Sequence, residues 1–226
     1  MSLYTKDHLL ENKIIYFQPR NGYRSGIEPI ILAAQANHKY KSILDLGSGC
    51  GPISLILAYR LPNSKIIGLE NNKLHLELSL KSKLENNLYN VEFKNEDVCI
   101  FNEKYLNYFD LVLSNPPFFF ENQIIKSKNE SINNAKYISK EKSEKWFQNL
   151  ILYLNDNGRA LIINRFENVE FMLQTFRLYN LLVEITPILS FKDTKPKNVL
   201  LSLKKNEKYV EKTKNEIIIH SNSSKY

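Results

Sequence analysis

The chain has 226 residues, 43% of them hydrophobic and 24% charged, with 12 Phe and 13 Tyr. That content supports one domain with a sizeable buried core and excludes a disordered or low-complexity chain. The formal net charge of +7 suits a polyanionic partner, whereas two distant cysteines (Cys50, Cys99) and four scattered histidines (His8, His38, His75, His220) offer no metal-ligand spacing. No apolar stretch reaches membrane-spanning length and the opening residues lack a signal-peptide pattern, so a soluble, cytoplasmic protein without a metal is expected.

Taken in order, residues 3–20 leave two openings, a short helix or a hairpin lying over the domain. A polar, glycine-bearing loop follows, Gln18-Pro19-Arg20-Asn21-Gly22-Tyr23-Arg24-Ser25-Gly26. Arg24 in it is either a surface charge or a group that folds over a ligand. Residues 27–36 are apolar enough for a buried helix. Ser25 and Glu28 have the spacing of a capping box, and Pro29 fits only in the first turn.

Ser42 to Leu46 reads as a strand running into Asp45-Leu46-Gly47-Ser48-Gly49-Cys50-Gly51, and Pro52 to Arg60 as the helix after it. Glycines at 47, 49 and 51 permit a tight turn and let a ligand approach the backbone beside a helix start. A pyrophosphate loop places its third glycine further along; the Gly-x-Gly-x-Gly spacing with an acid two residues before suits a ligand carrying a ribose and a carboxylate. The strand Lys65 to Leu69 ends in Glu70, 19 residues after Gly51, where a carboxylate can bind both hydroxyls of a ribose; its other reading is an exposed helix-starting acid.

The helix Lys73 to Asn86 sets Leu74, Leu78 and Leu84 on an apolar stripe. Strand Val91 to Lys94 leads to Asp97 and Val98, with Asp97 placed to take the exocyclic amine of an adenine. The fourth strand, Phe109 to Leu113, delivers Ser114-Asn115-Pro116-Pro117-Phe118. In that turn the Asn115 side-chain oxygen and a carbonyl held by the prolines can accept both hydrogens of one planar amine, and Phe118 can stack on the ring that bears it. The alternative is a strand end closed by a Pro-Pro turn, with Phe118 in the core. All these residues fall at the carboxyl ends of successive strands, where open α/β sheets bind ligands.

Asp45 to Gly51, Glu70, Asp97 and Asn115-Pro116-Pro117-Phe118 resemble the class I methyltransferases that methylate amino or amide nitrogens with S-adenosylmethionine. The upstream Gln18-Pro19 and Gly22-Tyr23-Arg24-Ser25-Gly26-Ile27 resemble one branch, the bacterial tRNA1(Val) adenine-N6 methyltransferases, over residues 10–220. The resemblance implies a Rossmann-like α/β fold: a mostly parallel seven-stranded sheet, helices on both faces and an antiparallel C-terminal strand. It implies an N-terminal extension and cofactor-covering loop over residues 1–25 and a catalytic domain over 26–226. It assigns Arg24, Asp45, Gly47, Ser48, Gly49, Gly51, Glu70, Asn71, Asp97, Val98 and Asn115 to the cofactor, and Asn115, Pro116, Pro117 and Phe118 to the transfer. The implied partner is tRNA, bound by a monomer. Rival readings are a release-factor glutamine or ribosomal-RNA guanine-N2 methyltransferase, and an inactive cofactor- or RNA-binding module.

Further along, residues 121–137 form a long polar loop with Lys126, Lys128 and Lys136. A helix is expected over Lys140 to Leu154, with Trp146 and Leu150 one turn apart in the core and Asn157-Gly158 ending it. Ala160 to Asn164 is a fifth strand and Val169 to Tyr179 a helix. Leu181 to Pro187 and Val199 to Leu203 form an antiparallel pair joined through Pro187 to Pro196. From Lys192 onward nine lysines face four acids, either a solvated tail or a surface for RNA.

Overall fold

The structure is a computed structural model that describes residues 3–21, 24–117, 119–120, 137–206 and 208–220. The chain opens as a hairpin, β1 (Tyr4–Leu9) antiparallel to β2 (Ile14–Pro19), through a turn in which Leu10, Glu11 and Asn12 all take positive φ. Beyond it come α1 (Glu28–Ala34), β3 (Ser42–Leu46), α2 (Pro52–Arg60), β4 (Lys65–Glu70), α3 (Lys73–Glu85), β5 (Val91–Asn95) and β6 (Phe109–Ser114). After a short parallel pair, β7 (Phe119–Phe120) and β8 (Tyr137–Ile138), follow α4 (Lys140–Leu152), β9 (Leu154–Arg165), α5 (Val169–Phe176), β10 (Leu181–Phe191), β11 (Asn198–Lys205), β12 (Val210–Thr213) and β13 (Ile217–His220).

The main sheet runs β5-β4-β3-β6-β9-β11-β10, parallel except for β11, with β12 and then β13 pairing in parallel along the outer edge of β10. The seven expected strands are there, and the edge carries two more. Alternation along the strands divides the core. Ile43, Ile66, Leu111, Leu113, Ile163 and Leu200 meet α1, α2 and α3 on one face. Leu44, Leu46, Ile67, Val112, Ile162 and Leu201 meet α4 and α5 on the other. Chain order reverses between β3 and β6, so the loops leaving these two strands flank one crevice at the carboxyl ends of the sheet.

The hairpin is stitched to α3. Ser82 Oγ accepts from Phe17 N at 3.0 Å, and Asn86 brackets Ile15, accepting from its N–H at 2.8 Å and donating to its carbonyl at 2.6 Å. One helix face thus satisfies backbone groups of β2 that a further strand would otherwise take. This corrects the expected apolar stripe. His75, Leu78, Ser79 and Ser82 are buried while Leu84 is 73% exposed, because six positions past Leu78 is one and two-thirds turns and points outward.

Three boundaries also differ. Ile27, not Ser25, is the N-cap of α1 and no side chain caps it; the Ser25 hydroxyl instead meets Tyr16 Oη at 2.8 Å. The fourth helix stops at Leu152, and Asn157-Gly158 lie inside β9, where its pairing with β6 slips between Phe109 and Leu111. A Cβ on Gly158 would stand 2.8 Å from the Phe109 carbonyl, so the glycine serves strand contact rather than a helix end. Strand β10 runs through Pro187 to Phe191; the proline falls in the gap on its outer edge between the stretches paired by β12 and by β13. Part of the lysine-rich segment is thus drawn into β12 and β13 at the sheet edge, where Lys212 and Lys214 stay exposed and Lys214 pairs with Glu184 at 2.8 Å. Among the described residues no helix is long and apolar enough to cross a membrane, and no three metal-ligating side chains cluster.

Candidate functional site

The glycine loop is built against the end of β4. Gly47 and Ser48 donate their N–H groups to the Leu69 carbonyl at 3.1 and 2.8 Å, which folds the chain leaving β3 over the neighbouring strand. Gly47 (φ +78°) lies under the Trp146 indole and Gly51 (φ +83°) under the Phe93 ring, so a side chain at either would displace an aromatic. A Cβ on Gly49 would meet nothing within 4 Å. The loop is closed at its two ends and open in its middle.

Glu70 locks that middle. Its Oε2 accepts from Gly49 N at 2.8 Å and its Oε1 from Asn72 N at 2.7 Å, while Asn72 caps α3 by accepting from His75 N at 3.1 Å. Each carboxylate oxygen keeps a lone pair for a further donor. Asp45 is fully buried below the loop, its Oδ2 accepting from Ser54 N (3.1 Å) and Ser54 Oγ (2.7 Å), so it anchors the first turn of α2 from outside the helix. Burial, with Glu70 nearby, pushes its carboxyl up to about 7 against the two Ser54 bonds. Burial likewise pushes the Cys50 thiol up to about 12, and it holds the His75 imidazole below its ordinary value, opposed by Glu70.

The turn after β6 is tied to the same loop. Ser114 Oγ donates to the Leu46 carbonyl at 2.7 Å and accepts from Trp146 Nε1 at 2.9 Å. Trp146 thus touches both the loop and the turn, a positioning role that its expected place in the core did not reveal. The available signal was that a chain's single Trp carries one N–H, which must find an acceptor when buried. Asn115 follows Ser114, half-buried, and its Oδ1 is enclosed with no hydrogen-bond partner among the described residues. Pro116 is buried and Pro117 half-buried beside it, while Phe118 lies outside the described residues, as do Lys126, Lys128 and Lys136.

The remaining residues divide. Ser48 is buried in the loop with an unpartnered Oγ. Asp97 is half-buried, accepting from Cys99 N at 2.9 Å, and the buried Val98 offers its carbonyl to Asn149 at 2.8 Å. Asn71 is exposed between Glu70 and α3. Arg24 stands apart: its guanidinium is spent on the hairpin, on Asp7 Oδ2 (2.9 Å), Thr5 Oγ1 (2.8 Å) and the Pro19 carbonyl (3.3 Å). The hairpin reaches the loop by another route, Gln18 Oε1 to Ser25 N (3.2 Å), Ser25 to Tyr16, and Tyr16 to the Cys50 thiol.

The methyltransferase small domain family matches residues 29–177, well over half the chain and both halves of this crevice. The chain belongs to that family. Across the small-domain methyltransferases, it is 25% identical over 213 residues to the tRNA1(Val) (adenine(37)-N6)-methyltransferase of Histophilus somni strain 2336, covering 92% of this chain and 87% of that protein. A ribosomal RNA small subunit methyltransferase C from Buchnera aphidicola subsp. Baizongia pistaciae is 31% identical over 121 residues, 53% of this chain and 36% of that one. In structure the chain is similar to a crystallised protein of Agrobacterium tumefaciens, a predicted O-methyltransferase (TM-score 0.68, 19% identity, 87% and 89% of the two chains). The Rossmann-like α/β fold implied by the family resemblance is the fold observed, and the enzyme class is methyl transfer.

Proposed function

We propose that this chain transfers a methyl group from S-adenosylmethionine to N6 of an adenine in tRNA, the purine beside the anticodon of tRNA1(Val). The observation that carries the acceptor assignment is the Asn115 amide oxygen: an enclosed acceptor without a partner among the described residues, one strand over from the glycine loop. An unpaired buried acceptor costs about 1–3 kcal/mol, a cost that a ligand amine would remove. The RNA assignment is supported by the relative's substrate and by the net charge of +7.

The residues fit the cofactor. The open face at Gly49, the unpartnered Ser48 hydroxyl and the spare lone pairs of Glu70 offer close approach, a donor and two acceptors for a ribose-bearing ligand. Gly47, Gly51 and Asp45 hold that loop in shape, while Asn71, Asp97 and Val98 would border the adenine of the bound cofactor. Bound S-adenosylmethionine would supply an activated methyl on sulfonium sulfur. The protein's share is alignment. An adenine amine is a weak nucleophile because its lone pair is delocalised into the ring. Accepting both its hydrogens at Asn115 Oδ1 and the Pro116 carbonyl would draw the nitrogen toward a tetrahedral shape and aim the lone pair at the methyl. Ser114 and Trp146 keep those acceptors in register with the loop.

The test is incubation with methyl-labelled S-adenosylmethionine and total tRNA lacking this modification, followed by digestion to nucleosides. Label in N6-methyladenosine from tRNA1(Val) is the expected result, with binding that weakens steeply as salt rises. Label instead in N2-methylguanosine of ribosomal RNA, or in a release-factor glutamine, would move the acceptor; no label with cofactor bound would leave a binding module.

A further inference from the structure

A second orphaned amide oxygen lies at the same end of the sheet. Asn198 opens β11 and is only 8% exposed, yet its Oδ1 has no hydrogen-bond partner among the described residues. The amide's orientation is held: Nδ2 donates to Glu28 Oε1 at 3.2 Å, and turning it over would set two oxygens against each other. Glu28 is the first residue of α1, half-buried, so the helix start serves as a brace for an oxygen that faces elsewhere.

Sheet register relates this oxygen to Asn115. Asn198 pairs with Arg165 of β9, and Ser114, just before Asn115, pairs with Ile162 of the same strand. The two asparagines therefore flank β9, two strand spacings apart and offset by two residues along it, about 12 Å between their backbones at ordinary sheet dimensions. Leu111, Leu113, Ile163 and Leu200 enter the apolar cluster beneath α1, and the same alternation carries Asn115 and Asn198 onto that face.

Chemistry then names the missing donor. In an adenosine within an RNA chain, the amine hydrogens go to Asn115 and Pro116, the ring nitrogens are all acceptors, and the 3′ and 5′ oxygens are esterified. The 2′-hydroxyl is what remains to donate. We infer that Asn198, held by Glu28, accepts the 2′-hydroxyl of the methylated nucleotide and makes this site select RNA over DNA. The inference rests on the proposed function and deepens it.

The experiment uses the full chain with two anticodon stem-loops of tRNA1(Val), one all-ribose and one with a single 2′-deoxyadenosine at the target. The wild type should lose about tenfold in kcat/KM on the deoxy substrate, the worth of one hydrogen bond. Asn198→Ala should lose a similar factor on the ribose substrate and show a ribose-to-deoxy ratio near one, while Glu28→Gln, which still offers an oxygen to Nδ2, should keep the wild-type ratio. A merely structural role would lower both substrates together and leave the ratio unchanged, which would overturn the inference. Equal wild-type rates on the two stem-loops would overturn it as well, without any need for a folded variant. Failure to methylate the all-ribose stem-loop would overturn the proposed function together with it.

Discussion

The two sides of the crevice are finished in different ways. On the β3–β4 side the loop backbone is closed inward, Gly47 and Ser48 onto Leu69 and Gly49 and Asn72 onto Glu70, with Ser54 onto Asp45, and the atoms left without a partner among the described residues are side-chain ones, Ser48 Oγ, Asp45 Oδ1 and His75 Nε2. On the β6–β11 side, two asparagine oxygens, Asn115 Oδ1 and Asn198 Oδ1, are enclosed and unmatched among the described residues. The contrast teaches where each kind of energy is kept. A loop that must present backbone to a ligand is held rigid by its own side chains in advance. On the proposed function, the second side keeps acceptors unpaired until the substrate's amine and hydroxyl arrive.

The sharpest way to break this comparison is to remove one acceptor from the unfinished side. Asn115→Ala is expected to lower kcat/KM by on the order of 10²–10³, the usual cost of deleting one directed polar contact in a transition state. Calorimetric titration should find cofactor affinity within a few fold of wild type. Collapse of both, or of neither, would dissolve the division between the two sides. The next largest effect comes from the finished side. Glu70→Ala releases Gly49 and Asn72 and deletes the acceptors offered to a ribose, so cofactor Kd should rise about 10–100-fold, with a smaller fall in kcat at saturating cofactor. An unchanged Kd would make Glu70 a loop brace only.

The finished side was also the legible one. Buried parallel strands are nearly continuous apolar runs, so β3, β4 and β6 stand out, and glycines before Pro52 mark a strand-to-helix turn with little ambiguity. What escaped depended on partners far along the chain. Asn157-Gly158 is a turn signal locally, but pairing with β6 draws it into a strand. Ser25 has capping spacing, but Tyr16 offers its hydroxyl a partner. Trp146 has the spacing of a core residue, and only the fold shows Ser114 waiting for its N–H. The segments of β12 and β13 look solvated because a sheet edge needs just one apolar side and tolerates lysine on the other. Asn198 carried no local signal, since its brace, Glu28, lies 170 positions away.

Smaller effects sharpen the picture of how the loop is held. Gly51→Ala forces a side chain into the left-handed region and sets its Cβ 2.6 Å from Phe93 Cζ, so it should cost about 1–3 kcal/mol and lower the thermal midpoint by several degrees. Gly49→Ala shares the positive φ but meets open space, so its loss of stability should be smaller while its effect on cofactor affinity is larger. Reversal of that order would place the ligand's approach elsewhere along the loop.

The smallest effect is a slope. Asp45 titrates at about 7 in the folded chain against an ordinary value of 3.8, because it is fully buried. Between those values the folded state holds a proton that the unfolded state has lost, so this group's contribution to stability falls as pH rises from about 4 to about 7 and is level on either side. Asp45→Asn cannot ionise, and its carbonyl oxygen can still accept from Ser54. Denaturant unfolding at a series of pH values should therefore show the variant gaining on the wild type across that window. The amide's unpaired N–H group shifts the whole curve by a constant, which leaves the slope untouched. A variant running parallel to the wild type at every pH would mean that Asp45 keeps its charge beneath the glycine loop, and that the first turn of α2 is anchored by an ion rather than by a neutral acid.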